Sequence, residues 1–262
     1  MIIGKSRREL EKMRAAGRLI AQVREELRRM VAPGVTTLEL DMAAERMIRD
    51  AGALPTFKGY HGFPFSICAS VNEQVVHGFP STYELKEGDI FSLDCGATLE
   101  GYVGDTATTV PVGRVSDELL RLIRVTEECL ERAIEQCWPG KHLGDLGWAV
   151  QSHAEAHGYG IVRDYVGHGI GRKMHEDPQI PNYGKPGKGT KIRAGYVFAI
   201  DPMVNMGTHE TKVLKDGWTV VTLDGRPSAH AEHTVAVTEE GPEILTTVGE
   251  PVREPAGAAA GP

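Results

Sequence analysis

Asp94, Asp105, Asp201 and Glu232 each stand in or beside a short apolar run of strand character, at residues 90–93, 102–103, 197–200 and 234–237. An ionised carboxylate in such a run is costly unless something cancels its charge, and a bound cation does so. His168 offers a neutral nitrogen donor, and His175 follows close behind. Carboxylates with imidazole and without cysteine suit Mn, Fe, Co or Zn in a catalytic rather than a structural site. Two divalent ions neutralise four acids, whereas one ion leaves the site with excess negative charge. Two such ions about 3.5–4 Å apart make hydroxide available at neutral pH and clamp a tetrahedral intermediate, so this donor set points to metal-assisted hydrolysis.

Positioning these donors requires strands brought together by helices. Leu10, Met13, Ala16, Ile20, Val23, Leu27 and Met30 recur at steps of three and four, which predicts an amphipathic helix over 6–31 ended by Pro33-Gly34. A second helix is expected over 37–51 behind an N-cap at Thr36-Thr37, a third over 117–136 closed by Pro139-Gly140, and a fourth over 143–156. Strand-like runs lie at 66–71, 90–93, 102–103, 108–112, 197–200, 218–221 and 234–237. The two kinds of element interleave without strict βαβ alternation, which argues for an α+β fold. Residues 90–98 and 101–110 read as a hairpin turning near Glu100-Gly101, with Asp94 and Asp105 almost opposite each other. Facing carboxylates repel, and a divalent ion between them reverses the sign.

At 262 residues and 41% hydrophobic content the chain can bury a substantial core, and its net charge of −7 argues against a nucleic-acid substrate. Cys68, Cys95, Cys129 and Cys137 show no C-x-x-C spacing, and no stretch approaches the ~20 apolar residues of a membrane helix, so a cytoplasmic protein with reduced thiols is expected. Residues 1–250 read as one domain and 251–262, rich in Ala, Gly and Pro, as a disordered tail. Taken singly, each piece has an ordinary explanation. An Asp at a strand end is commonly a turn or cap residue, and His77 or His168 beside glycines is commonly a loop residue. Other motifs fail: GKPGKGTK has the wrong order for a phosphate loop, His175-Glu176 lacks the second histidine of H-E-x-x-H, and GHGIG is not a dinucleotide fingerprint. The cluster Lys5, Arg7 and Arg8 reads as a solvated helix face rather than an RNA contact.

The order of the local motifs carries more than any one of them. SICASVNEQVVHGFP, FSLDCGATLEGYVGDTATT, VGHGIGRKMHEDPQIPNYG, VFAIDPMVN, DGWTVVT and SAHAEHTVAVT together resemble type I methionine aminopeptidase over about residues 4–248. The resemblance implies the pita-bread fold, two pseudo-symmetric halves with a curved antiparallel sheet, helices over it and a central dinuclear metal site. It implies removal of the initiator methionine from nascent polypeptides with a small second residue, by a monomer in transient contact with the ribosome. Asp94 would then chelate one ion, Asp105 and Glu232 would bridge both, and His168 with Asp201 would complete the second. The metal would be Co, Mn, Fe or Zn, the nucleophile a bridging hydroxide, with His175 on the substrate carbonyl, His77 on the scissile amide and Asp201 as the general base. Tyr60, His61, Phe63, Cys68, Met174 and Trp218 would join these two histidines in lining the methionine pocket, where aromatic edges suit a thioether. Phe57 and Phe63 depart from the Cys and Tyr common at those places in the family.

One departure bears on the metals. Asp201, in AIDPM, stands where the family carries Glu in A-I-E-P-M, and a carboxylate one methylene shorter is expected to ligate with weaker affinity. Among rivals, prolidases and proline-directed aminopeptidases usually carry an extra N-terminal domain, and type II enzymes insert a helical subdomain between the positions of Asp201 and Glu232. A non-catalytic binding module of the same fold would typically have lost metal ligands or His175, whereas here a carboxylate replaces a carboxylate.

Overall fold

The computed structural model describes residues 2–248, so the tail expected at 251–262 lies outside the described residues. Helices form where the apolar stripes place them: α1 (Arg7–Met30), α2 (Thr37–Asp50), α3 (Asp117–Ile134) and α4 (Leu143–Ala156). Ser6 and Thr36 cap the first two, each accepting from the backbone N–H three residues on, where Glu9 and Glu39 reach back to the cap. Between α2 and α3 run β1 (Leu54–Pro55), a single 3-10 turn (Tyr60–Gly62), β2 (Ile67–Val71), β3 (Gln74–Val76), β4 (Ile90–Leu99) and β5 (Tyr102–Pro111). After α4 come β6 (Gly160–Ile161), β7 (Gly167–Gly169), β8 (Glu176–Ile180), β9 (Val197–Ile200) and β10 (Met203–Asn205). They are followed by β11 (Thr211–Val213), β12 (Val220–Thr222), β13 (Ser228–His230), β14 (Glu232–Thr238) and β15 (Gly241–Ile244). Each half of the chain is thus a helix pair followed by strands, the α+β arrangement expected.

The principal sheet is antiparallel and curled, in the order β1-β4-β5-β14-β9-β7-β8, with β2 also on β4 and β15 on β14. Its register decides which side chains meet. Leu99 pairs with Tyr102, leaving Glu100 and Gly101 as a two-residue turn with φ of 48° and 78°, the left-handed pair that matches strand twist. Counting back from that turn, Asp94 faces Ala107, and Asp105 faces Gly96. The two acids, expected almost opposite each other, are diagonal neighbours on one face. Direct opposition is the arrangement that costs a hairpin most, and Gly96 leaves the space that Asp105 fills, since a Cβ there would lie 3.3 Å from Asp105 Oδ1.

The same register collects the remaining donors. Ala107 also faces Glu232 on β14, and Ala199 of β9 faces both Thr234 and His168. Asp201 follows two residues beyond Ala199, so by strand alternation all five donors lie on one side of the sheet. The alternate residues feed the helices on the other side. Phe91, Leu93 and Cys95 pack with Ile20, Leu27, Leu40 and Ile48 of α1 and α2, while Phe198, Ile200, Val235 and Val237 pack with Leu122, Leu130, Leu146 and Val150 of α3 and α4. Helix α1 packs against backbone on two sides, and a glycine is required at each: a Cβ on Gly104 of β5 would sit 2.8 Å from Gly17 N, and one on Gly17 would sit 2.4 Å from the carbonyl oxygen of Leu245, just past β15. Gly104→Ala should therefore destabilise the protein by about 1–3 kcal/mol in urea unfolding, because backbone on both sides must move; an unchanged midpoint would show that the helix yields without cost.

Candidate metal centre and substrate cleft

Asp105 and Glu232 are each 2% exposed, His168 7% and Asp94 9%. Donor atoms of Asp105, His168 and Glu232 all lie within 4.8 Å of one another. Asp94 Oδ1, Asp105 Oδ1 and Glu232 Oε1 are buried with no hydrogen-bond partner in the structure. Burial, and then the charge of the neighbouring acids, pushes all three carboxyls well above the usual carboxylate range. Buried, orphaned oxygens of neighbouring acids are what a cation reconciles, so the residues present fit a divalent metal. The imidazole is set for the same purpose. His168 Nδ1 donates to the Gly169 carbonyl at 3.0 Å, which leaves Nε2, 3.9 Å from Asp105 Oδ2, as the free donor toward the acids.

Asp201 is placed differently. Its carboxylate meets Nε2 of His230, and Asp201, His230 and Glu232 form a second cluster whose donor atoms lie within 4.8 Å of one another. Burial, the largest single influence, raises the Asp201 carboxyl, but His230 together with His168 and His77 holds the group below its usual value. The sequence reading missed His230. The available signal was its spacing of two from Glu232, the alternation that puts both side chains on one face, but the run at 234–237 began too late to include either.

Above the acids opens a cavity of about 610 Å³. Tyr60, His61, Phe63, Cys68, His77, Met174, His175 and Trp218 all line it, as expected of the substrate residues, and Asp94 and His168 reach it from the metal cluster. Asp105, Asp201 and Glu232 are not among the lining residues. Phe57, Val166, Gln179, Glu176 and Asp177 also line the cavity, and the last four carried no sequence signal as pocket residues. Phe57, Phe63 and Cys68 form a small apolar cluster with Phe65, Phe79, Met174 and Trp218 against it, the Phe63 and Trp218 rings meeting edge-on at 5.2 Å.

The histidines of the cleft are held in uncommon ways. His61 and His77 occupy left-handed backbone, at φ 49° and 59°, two of four such non-glycine residues among those described. Burial lowers His77 to about 4, and burial with the nearby His168 lowers His175 to about 4, so both rings are neutral at pH 7. The His175 ring lies 4.2 Å from that of His168, and its Nδ1 is 2.7 Å from the Tyr60 hydroxyl. Glu176 braces this turn. Its Oε1 accepts from the backbone N–H of Arg172 and Lys173, and its Oε2 pairs with Lys5 Nζ at 2.6 Å. Lys5 is therefore a buried strut under the site, not the solvated cation the sequence suggested.

The model of metallopeptidase family M24 matches residues 11–239. The methionine aminopeptidase of Clostridium perfringens is 53% identical over 95% of this chain and all of its own length, and methionine aminopeptidase 1 of Bacillus subtilis is 53% identical over the same shares. The crystal structure of methionine aminopeptidase from Rickettsia prowazekii superimposes with a TM-score of 0.93 at 44% identity, covering 94% of this chain and all of that one. Among the described residues no helix is long and apolar enough to cross a membrane. With the orphaned carboxylates and the cleft above them, these matches show that the chain belongs to metallopeptidase family M24, among its type I methionine aminopeptidases.

Proposed function

We propose that this chain hydrolyses the first peptide bond of nascent polypeptides that begin with methionine and carry a small second residue, using two divalent ions. The observation that supports this most is the set of three buried carboxylate oxygens without hydrogen-bond partners, directly beneath an apolar, sulfur-compatible cavity. Asp94 and Asp105 would hold one ion, His168 and Asp201 the other, with Asp105 and Glu232 shared. The ion would be Co, Mn, Fe or Zn. When bound, such ions supply a nucleophile from water near neutral pH and polarise the substrate carbonyl.

The remaining work falls to the protein's own side chains. Phe63, Cys68, Met174 and Trp218 surround the methionine thioether, and Tyr60 and His61 close the pocket. Burial keeps the Tyr60 phenol protonated, and in this reading its hydroxyl, 2.7 Å away, donates to His175 Nδ1 and leaves the ring proton on Nε2. That N–H faces the cleft as a neutral donor for the carbonyl oxygen as negative charge develops on it. His77, also neutral, contacts the scissile amide and steers the leaving amine, and Asp201 accepts the proton released on attack. The same reading makes residues 1–250 one catalytic domain, acting as a cytoplasmic monomer on chains emerging from the ribosome.

Metal-stripped protein titrated with Co or Mn should cleave Met-Ala-Ser and leave Met-Leu-Ser and the dipeptide Ala-Pro intact; equal cleavage of all three, or none at any metal level, would refute the assignment. Cobalt at a hundredfold over its Kd should add about 2.7 kcal/mol to the stability, a rise of about 5–10 °C in Tm by scanning calorimetry. Asp105→Asn should abolish both that rise and the cleavage, and a retained rise would remove Asp105 from the metal set.

A further inference from the structure

The carboxylate at 201 is shorter than the family's, yet this chain places an imidazole beside it. His230 ends β13, two positions before Glu232, with the intervening Ala231 turned into the core under α3. It is 2% exposed. Its backbone is clamped from both sides by Thr109, whose Oγ1 accepts from the His230 N–H and donates to its carbonyl, each at 2.8 Å. Thr109 Oγ1 is itself 2.7 Å from Ser92 Oγ. A side chain fixed so firmly is not seeking solvent. Its Nε2 converges with a carboxylate oxygen of Asp201 and one of Glu232, all within 4.8 Å of one another. This is a second triad of donors beside the one formed by Asp105, His168 and Glu232, and the two triads share Glu232.

We propose that His230 ligates the second metal ion through Nε2, supplying the donor reach that Asp201 lacks. The inference rests on the metal-centre reading above. A neutral imidazole adds a ligand without adding charge, so the balance of four acids against two divalent ions is kept while the second ion gains nitrogen coordination. With His230 in place, the second site need not be the weak one that the short carboxylate alone would give. The simpler alternative, an imidazole that only hydrogen-bonds Asp201 and orients it, makes a different prediction for a glutamine at 230, whose amide N–H still donates to a carboxylate but which has no imidazole nitrogen.

The test is cobalt titration of the full-length protein, unmodified and as His230→Gln, read by calorimetry and by proton NMR. An imidazole bound to cobalt through Nε2 gives one exchangeable, paramagnetically shifted Nδ1–H signal. The unmodified protein with two equivalents should show two, from His168 and His230. His230→Gln should show one and bind its second cobalt at least about tenfold more weakly while keeping the first. A single shifted signal in the unmodified dicobalt protein overturns the proposal, as does a variant that keeps the second-cobalt affinity. If the variant does not fold, the signal count in the unmodified protein decides alone. Two bound cobalt ions and cleavage of Met-Ala-Ser with only one imidazole signal would remove His230 and leave the proposed function standing, whereas failure to bind any cobalt removes both.

Discussion

The structure is organised around the repulsion among buried carboxylates on one face of one sheet. Asp94, Asp105 and Glu232 have lost water and gained no protein hydrogen bond at one oxygen each, a condition that a stable fold tolerates only where function requires it. Everything around them limits that cost. Thr234 bridges Asp105 twice, accepting from its backbone N–H at 3.0 Å and donating to its carbonyl at 2.8 Å, so the strand cannot shift to relieve the strain. On the helical side of the sheet Arg24 donates to Thr106 Oγ1, which in turn donates to the Glu232 carbonyl. That places a cation behind the acids, and it draws the Glu232 carboxyl down against the larger upward push of burial.

The division of the sheet into a polar face and an apolar face follows from strand alternation, and this made much of the fold legible in the sequence. The four helices fall at the expected spans, within two residues at every end, because their stripes are long and their caps are chemically marked. Val197–Ile200 is a strand as read, and its continuous apolar character follows from burial on both sides. The hairpin arm read over 101–110 is the strand Tyr102–Pro111, its apolar runs at 102–103 and 108–112 separated by Gly104, Asp105 and Thr106, where close approach of α1 and the acid face interrupt the pattern. Short strands such as Gly167–Gly169 and Ser228–His230 had no propensity to announce them and exist because neighbouring strands supply partners.

The candidate carboxylates stood out in the sequence for the same reason that they are costly to bury. An acid beside a strand's apolar run violates local pattern, and such violations mark functional positions. His230 escaped because histidine in a polar segment violates nothing. The near-opposition of Asp94 and Asp105 was legible because the turn at Glu100-Gly101 is chemically marked, and the exact register makes them diagonal neighbours on one face. The pocket was legible only through the family resemblance. Its side chains come from 57–68, 77, 174–175 and 218, and no periodicity within the chain connects those segments.

Two kinds of precision therefore coexist in the site. The metal face is built on strands whose register is pinned by the Glu100-Gly101 turn, by Gly96 and by the Thr234 bridge, so its geometry is inseparable from the stability of the sheet. The cleft wall is carried by turns: the 3-10 segment at Tyr60–Gly62, the left-handed His77, and the loop of Met174 and His175 held by Glu176 and Lys5. The wall still touches the sheet at defined points, Cys68 pairing with Asp94 across β2 and β4 and Phe57 packing over Gly96. Phe57 and Phe63, which depart from the residues common in the family, lie in this wall. The other departure, Asp201, lies at the junction between wall and sheet, and its shorter carboxylate is met from a neighbouring strand. His230 stands on that strand, which ties the altered ligand to a second, independently anchored side chain rather than to a rearranged backbone.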